Sequence, residues 1–444
     1  MSETIKNQQN ILDKLRIKQL NPMQIEAQEA IQNNTEIILL SPTGTGKTLA
    51  FFLPVLQLLK RDINGIQALI VVPSRELAIQ IEQVIREMGT GFKANAVYGG
   101  RSASKDRMDL SHLPAILIGT PGRIADHIRR ETFSTESIHV LILDEFDKSL
   151  EIGFEDEMHE IVTSLPNINK KILTSATMNV KIPNFMDLDN PIKINYLKEG
   201  VPNLKIQIVL SDTRDKLDSL SALLMSLGDK PGIVFCNLKE SIQEISEYLE
   251  TKNISHGCFF GGMEQHDRER ALIKFRNGTY QLIVATDLAA RGLDIPEIQF
   301  IIHYQLPNRS HEFIHRNGRT ARMHSEGTAY ILQSKNEPQP EYISTLNLET
   351  IDIDSQDDHI ENENSESVQW TTLIVSGGRK DKISKGDIAG LFFKQGGLEK
   401  DQLGNIELKQ DCAFVAVQTS SVNQLIQKID NVRLKTKKVR IRIV

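Results

Sequence analysis

Five short runs in the first 180 residues are apolar throughout rather than at every second position: Glu36-Ile-Ile-Leu-Leu40, Ala68-Leu-Ile-Val-Val72, Ala115-Ile-Leu-Ile118, Val140-Leu-Ile-Leu143 and Lys171-Ile-Leu-Thr174. Amphipathic stretches of helical period lie between them. A strand that is apolar on both faces must be covered on both, so the pattern predicts a parallel sheet flanked by helices. A second series follows after about residue 200: Gly232-Ile-Val-Phe-Cys236, Leu282-Ile-Val-Ala285, Phe300-Ile-Ile-His303 and Thr328-Ala-Tyr-Ile-Leu332. Two α/β domains in tandem are expected. The tail reads differently, with strands at Thr371–Val375, Gly404–Leu408 and Ala413–Val417, helices at Ser384–Phe393 and Ser421–Ile429, and a basic final strand. That β-α-β-β-α-β order is the split-βαβ pattern.

Charge sharpens the division. The whole chain of 444 residues carries −6, yet from Val368 onward 14 Lys and Arg face 7 Asp and Glu, a net of +7 that leaves −13 for the rest. A basic module is therefore joined to an acidic body. Between Glu337 and Ser367 there are ten acidic residues and no Lys or Arg, and the stretch from Ser355 onward has almost no apolar side chains, the composition of a linker. The domains expected are 1–200, 201–349, a flexible acidic linker at 350–367, and 368–444. No apolar run is long enough to span a bilayer, and the first thirty residues lack the features of a secretory signal, so a cytoplasmic protein without membrane association is expected. Cys236, Cys258 and Cys412 are too scattered to suggest a disulfide framework or a close-spaced metal site.

Ser41-Pro-Thr-Gly-Thr-Gly-Lys-Thr48 follows one of the predicted strands and opens a helix. In that context Ser41, Pro42, Thr43, Gly44, Thr45 and Gly46 form a phosphate-binding loop. The glycines let backbone N–H groups turn inward, Lys47 neutralises the β and γ oxygens, and Thr48 offers a hydroxyl to Mg²⁺. Asp144-Glu145-Phe146-Asp147 comes directly after the run Leu141–Leu143, at the strand end where open α/β sheets bind ligands. Asp144 can hold Mg²⁺ through water, and Glu145 can accept a proton from water attacking the γ-phosphate of ATP.

These two motifs stand in order with Pro73-Ser-Arg-Glu-Leu77, Gly99-Gly-Arg101, Thr120-Pro-Gly-Arg123, Ser175-Ala-Thr177, Gln265-His-Asp-Arg268, Ala285 to Asp294 and His315-Arg-Asn-Gly-Arg-Thr-Ala-Arg322. Over residues 15 to 335 the set resembles the DEAD-box RNA helicases. The resemblance implies two RecA-like domains and an RNA-stimulated ATPase. It implies that Gln24 reads adenine, that Asp294 holds the ribose, and that Arg319 and Arg322 reach the γ-phosphate. It also places Pro73, Arg75, Gly100, Arg101, Thr120 and Arg123, with Gln265, Arg268 and Thr286, along the RNA. Asp147, Ser175, Thr177 and His315 would couple hydrolysis to strand separation. Few of the RNA positions are aromatic, so contacts should favour phosphates and 2′-hydroxyls over bases.

Four positions depart from the family pattern. Phe146 replaces Ala, Ala321 replaces Gly, Arg16 stands in place of a Gly, and Phe260-Gly-Gly262 stands in place of His-Gly-Asp. None removes a catalytic group, but Phe146 puts in doubt the packing between the Asp144 loop and Ser175–Thr177.

The tail resembles the RNA-binding domain of DbpA-type helicases through Gly377-Gly-Arg-Lys-Asp-Lys382, Gly386-Asp-Ile-Ala-Gly390 and Gly404-Asn-Ile406. An RRM-like fold follows from the resemblance, with a hairpin of large-subunit ribosomal RNA as partner and ribosome assembly as the setting. The central strand, Asp411 to Val417, supplies only Phe414 where an RRM sheet carries several rings. RNA is therefore expected elsewhere, at Arg379, Lys380, Lys382 and Lys385 and the basic run Lys435 to Arg442. Two other activities use the same motifs, a DNA helicase or translocase and an ATP-gated RNA clamp. The sequence names no protein partner.

Overall fold

The computed structural model describes residues 8–100, 103–177, 182–197, 203–211, 215–287, 298–320, 326–335, 337–344, 346, 348–351 and 369–444. Arg101, Asp294, Ala321, Arg322 and linker residues 352–367 lie outside the described residues. The chain divides into two compact units, one of essentially the first 202 residues and one of the second core domain with the tail.

In the first unit the described strands form a parallel sheet in the order Ala94–Val97, Ile116–Gly119, Ala68–Val71, Val140–Leu143, Lys170–Ser175, Glu36–Leu40, Ile192–Asn195. Its central strands are buried along their whole length because each face packs a separate apolar cluster. One cluster gathers Ile37, Leu39, Phe51, Phe52, Ile70 and Ile142, and the other gathers Leu40, Leu69, Leu117, Leu141, Leu143 and Phe146. The even and odd residues of each strand thus go to opposite cores, which is why the runs are continuous rather than alternating.

The second unit repeats this order. Its sheet runs His256–Phe259, Leu282–Thr286, Gly232–Cys236, Phe300–His303, Glu326–Ser334, Asn203–Ser211, Glu349–Ile351. The last strand pairs Glu349, Thr350 and Ile351 with Gln207, Ile208 and Val209, so the sheet takes in two residues that composition had assigned to the linker.

The tail is a four-stranded antiparallel sheet in the order Leu403–Leu408, Ala413–Gln418, Trp370–Val375, Ile441–Ile443. Helices Lys385–Lys394 and Val422–Ile429 cover one face, burying Leu373, Val375, Val415, Val417, Leu391 and Leu425 together. A small hairpin, Arg433–Leu434 with Lys437–Lys438, interrupts the return to the last strand and was not visible in the sequence pattern. None of the described helices is long and apolar enough to cross a membrane.

Candidate nucleotide and RNA sites

Strand Glu36–Leu40 ends at the phosphate loop, and helix Lys47–Leu58 begins at its far side. Gly44 and Gly46 turn the backbone through φ of +80° and +83°, values that L side chains rarely adopt. Gly46 is needed for a second reason: a Cβ there would lie 2.5 Å from Gln24 Nε2. Lys47 folds back over the loop, its Nζ donating to Ser41 O at 2.7 Å and Pro42 O at 2.8 Å. The Ser41 and Thr45 hydroxyls lie 2.7 Å apart, so Ser41 performs an internal bond that glycine could not.

Gln24 is buried at the start of helix Pro22–Asn33. Its backbone N–H donates to Asn21 Oδ1 at 2.8 Å, its Oε1 accepts from the Asn21 N–H at 3.0 Å, and its Nε2 donates to Gly46 O at 3.2 Å. The side chain thus closes a capping box and ties the helix to the phosphate loop. Those two side-chain bonds use one N–H and one lone pair of a primary amide, which carries two of each. Arg16, at a family glycine position upstream, has φ of +58°, so the backbone keeps the left-handed turn despite the side chain.

Asp144 is buried at the end of strand Val140–Leu143. Its Oδ1 accepts from the Thr174 hydroxyl and from the Glu145 N–H at 3.1 Å. Burial pushes its carboxyl above the usual range, against which the Thr174 bond and the Lys47 charge pull it down. Such a carboxylate favours a nearby cation. Among the described residues no three His, Cys, Asp or Glu side chains cluster as a metal cage. One carboxylate and the Thr48 hydroxyl are hard oxygen donors of the kind Mg²⁺ takes alongside water and substrate phosphates, so this set fits that ion. Glu145 follows with φ of +49°, a left-handed backbone for a non-glycine residue that costs roughly 1 kcal/mol.

Phe146 is only 2% exposed and packs in the core cluster that holds Leu143, Leu173 and Met186. The Thr177 hydroxyl donates to Asp147 Oδ2 at 3.0 Å, the Thr177 N–H to Ser175 Oγ at 2.9 Å, and the Ser41 N–H to Ser175 O at 3.0 Å. An unbroken line of hydrogen bonds therefore joins Asp147 to the phosphate loop through Ser175 and Thr177.

The remaining first-unit positions stand at the carboxyl ends of the other half of the sheet. Pro73 and Arg75 follow Ala68–Val71, Gly100 follows Ala94–Val97, and Thr120 and Arg123 follow Ile116–Gly119. The Arg75 guanidinium crosses the Gly99–Gly100 turn so closely that a Cβ on Gly100 would sit 2.7 Å from Nη1. Thr120 caps helix Pro121–Arg129 by position. Arg123 is drawn into the body: its Nε and Nη2 meet Oδ2 of the fully buried Asp106 at 2.8 and 2.7 Å, and His127 Nε2 lies 3.1 Å from the same oxygen.

In the second unit Gln265 opens helix Gln265–Arg276, Arg268 stands over the Phe259 ring at 4.9 Å, and Thr286 ends strand Leu282–Thr286. His315 and Arg319 are buried at the end of helix Ser310–Asn317. Their segment is anchored by a residue that sequence reading gave no role. Arg316, 1% exposed, donates through Nε and Nη2 to both Asp287 oxygens, through Nη1 to Gln305 O at 2.6 Å and through Nη2 to Asn237 Oδ1 at 2.7 Å. Thr174 was missed in the same way. Arg316 lies inside a quoted motif and Thr174 ends a quoted strand run next to one, which was the available signal.

On the tail, Arg379, Lys380, Lys382 and Lys385 are exposed around one turn and the helix start beside it. Lys435 and Lys437 reach that turn from the hairpin, pairing with Asp387 at 2.7 Å and Asp381 at 2.8 Å.

Comparison with known proteins identifies the family. The DEAD/DEAH box helicase family matches residues 21–185, the helicase conserved C-terminal domain matches 215–324, and the DbpA RNA binding domain matches 372–443. The chain is 30% identical to the ATP-dependent RNA helicase DbpA of Bacillus subtilis (strain 168) over 91% of each chain. It is also 30% identical to the ATP-dependent RNA helicase DbpA of Escherichia coli (strain K12), over 97% of this chain and 96% of the other. Among solved structures, S. cerevisiae Dbp5 bound to RNA and ADP BeF3 shares the fold with a TM-score of 0.68 at 23% identity, covering 78% of this chain and 94% of that one.

Proposed function

We infer, because the chain belongs to the DEAD-box ATP-dependent RNA helicases of the DbpA type, that it acts on large-subunit ribosomal RNA during ribosome assembly. One observation carries the mechanism: the carboxyl edge of the first sheet is divided. Strands Val140–Leu143, Lys170–Ser175 and Glu36–Leu40 are neighbours and end in the nucleotide motifs, while Ala94–Val97, Ile116–Gly119 and Ala68–Val71 are neighbours and end in the RNA positions. ATP chemistry and RNA contact therefore share one rigid element, with the Asp144 loop at the border between them.

In this reading the loop N–H groups and Lys47 bind the phosphates, Gln24 selects adenine, and Asp144 with Thr48 holds Mg²⁺, which when bound screens the phosphate charge. Asp294 holds the ribose. Glu145 removes a proton from the attacking water, and Arg319 and Arg322 stabilise charge on the transferring phosphoryl group. Asp147, Ser175 and Thr177 carry the change at the loop toward the RNA edge, and His315 does so in the second domain. Pro73, Arg75, Gly100, Arg101, Thr120, Arg123, Gln265, Arg268 and Thr286 hold RNA without reading its sequence. The basic tail, through Arg379, Lys380 and Lys382, supplies the preference for ribosomal RNA.

The test is ATPase stimulation by purified large-subunit ribosomal RNA against an equal mass of poly(U). The full chain should reach half-maximal rate at an at least roughly tenfold lower concentration of ribosomal RNA, and a chain cut after Ser367 should lose that preference. Equal half-saturation by both RNAs in the full chain overturns the ribosomal assignment.

A further inference from the structure

Helix Ser310–Asn317 ends two residues before Arg319, and the turn that follows is built on its last two residues. The Arg319 N–H donates to Arg316 O at 3.1 Å and the Thr320 N–H to Asn317 O at 3.1 Å. Whatever holds Arg316 and Asn317 therefore holds Arg319. Arg316 is clamped by Asp287, Asn237 and Gln305 O. Asn317, 7% exposed, has a different clamp: its Oδ1 lies 2.9 Å from Nε2 of His303, the fully buried last residue of strand Phe300–His303. On the far side of Arg319 the Thr320 hydroxyl donates to Ile298 O, and these two residues form a parallel bridge. Arg319 is thus suspended between two fixed points.

The His303 clamp has a cost. An amide oxygen only accepts, so the imidazole carries a proton on Nε2, and burial together with the Arg316 charge keeps the ring neutral. A neutral ring has one N–H. Its Nδ1 is left as a bare lone pair, without a partner among the described residues, in a slot between Phe235 at 6.3 Å and Phe313 at 4.6 Å. Leaving a buried acceptor unmet destabilises the fold, and a phenyl ring in the same slot would avoid it.

What imidazole supplies and phenyl cannot is direction. Phe313 and Asn317 stand one turn apart on the same helix face and both meet His303. Apolar packing tolerates rotation, whereas a hydrogen bond does not. We propose that His303 is a positioning residue for ATP hydrolysis: through Asn317 it fixes the rotation of the helix end, and so the place from which Arg319 reaches the γ-phosphate, a role that rests on the reading of Arg319 given above. A misplacement of about 1 Å in such a group slows catalysis by up to roughly a hundredfold. The stability lost at Nδ1 is offset by the aim of the arginine.

The experiment measures ATP hydrolysis by the full chain at saturating poly(U), with folding followed in urea at Trp370, the chain's single tryptophan, in the same unit. His303→Phe keeps an aromatic ring and removes the donor. It should lower kcat at least about tenfold, with KM for ATP within roughly twofold and a urea midpoint at pH 7 no lower than the parent's, because the arginine acts on the transition state and not on binding. Asn317→Leu removes the acceptor instead. It should show the same split, and the two changes together should lose no more than either alone. His303→Gln restores a donor and should recover at least about a third of the parent rate. In an Arg319→Gln chain, itself severely slowed, His303→Phe should cause no further loss. A full rate in folded Asn317→Leu, whether or not His303→Phe folds, or an added loss of about tenfold in the Arg319→Gln chain, overturns the positioning role. A full rate in Arg319→Gln itself sinks the γ-phosphate reading and the positioning role with it. A slow Arg319→Gln beside a fast Asn317→Leu leaves that reading intact and removes the His303–Asn317 pair alone.

Discussion

The two core domains share a strand order but treat the same lysine position in opposite ways. In the first, Lys47 follows strand Glu36–Leu40 at the start of a helix and bonds to two loop carbonyls, Ser41 O and Pro42 O. In the second, Lys216 follows the matching strand Asn203–Ser211, again at the start of a helix. There its Nζ meets Glu337 at 2.9 Å and Leu332 O at 3.1 Å and stands over the Tyr304 ring at 5.1 Å. A carbonyl is a neutral partner that a phosphate can replace, whereas a carboxylate cancels the charge outright. The same strand order thus carries a lysine over loop carbonyls, within reach of the Asp144 charge, in one domain and a lysine in an ion pair in the other.

The comparison breaks most visibly at the lysines. Lys47→Ala should reduce RNA-stimulated ATP hydrolysis by at least roughly a thousandfold, because the phosphates lose their main point charge. Lys216→Met should leave the rate per folded molecule within twofold. It should instead lower stability by about 1–2 kcal/mol, discounted because Glu337 is partly exposed, as read from urea unfolding followed at Trp370 in the same unit. An ATPase defect in folded Lys216→Met would mean that the second lysine also serves the nucleotide.

Glu145→Gln sharpens the contrast between binding and chemistry. The turnover number should fall by roughly 10²–10⁴ with little change in ATP affinity, measured by single-turnover hydrolysis beside equilibrium binding. Loss of binding in proportion to rate would remove Glu145 as the general base.

A smaller difference concerns acid. His303 lies in the core of the second domain between Phe235 and Phe313, and burial pushes its imidazole down to about 3. The folded domain therefore keeps it neutral while the unfolded chain takes up a proton below about 6.5. This contribution to stability is complete above pH 6.5 and is lost at up to ~1.4 kcal/mol per pH unit as the pH falls toward 3. Urea midpoints at Trp370 should drop between pH 7 and pH 5, and His303→Gln should flatten the pH slope. An equal slope in the variant would place the acid sensitivity elsewhere.

The mildest effect is expected at Gln24→Ala. Loss of the amide should narrow the preference for ATP over GTP and, through the broken capping box, reduce stability by about 1 kcal/mol. An unchanged ATP-over-GTP ratio would leave Gln24 only its capping role.

The central strands of both sheets were legible in the sequence because burial on two faces leaves an uninterrupted apolar run, except Asn203–Ser211, an inner strand whose polar Lys205 and Gln207 interrupt the run. The edges were not. Ala94–Val97, Ile192–Asn195, His256–Phe259 and Glu349–Ile351 show polar residues to one side, and Ile192–Asn195 buries only one residue in four. Edge strands of three or four residues carry too little pattern to separate from loops. The same logic governs the site. Motif order located Lys47, Asp144 and Glu145, whose chemistry is in the side chain itself. Arg316 and Thr174 act by orienting others, and their partners, Asp287 and Asp144, stand about thirty residues away in sequence. The contact between the tail sheet and the second core domain was least legible: Asn277 bonds to Thr372 and Asn405, ordinary polar residues until the fold brings them together.

The left-handed backbone at Glu145 carries a final implication. Asparagine and aspartate tolerate that conformation better than glutamate, and glycine adopts it freely. Aspartate would ease the turn but withdraw the carboxylate by one methylene, and glycine would remove it. At this position the chain's local comfort and the length of its arm are in direct competition. A selection for activity that tolerates slightly lower stability should keep glutamate, and a selection for stability alone should drift away from it.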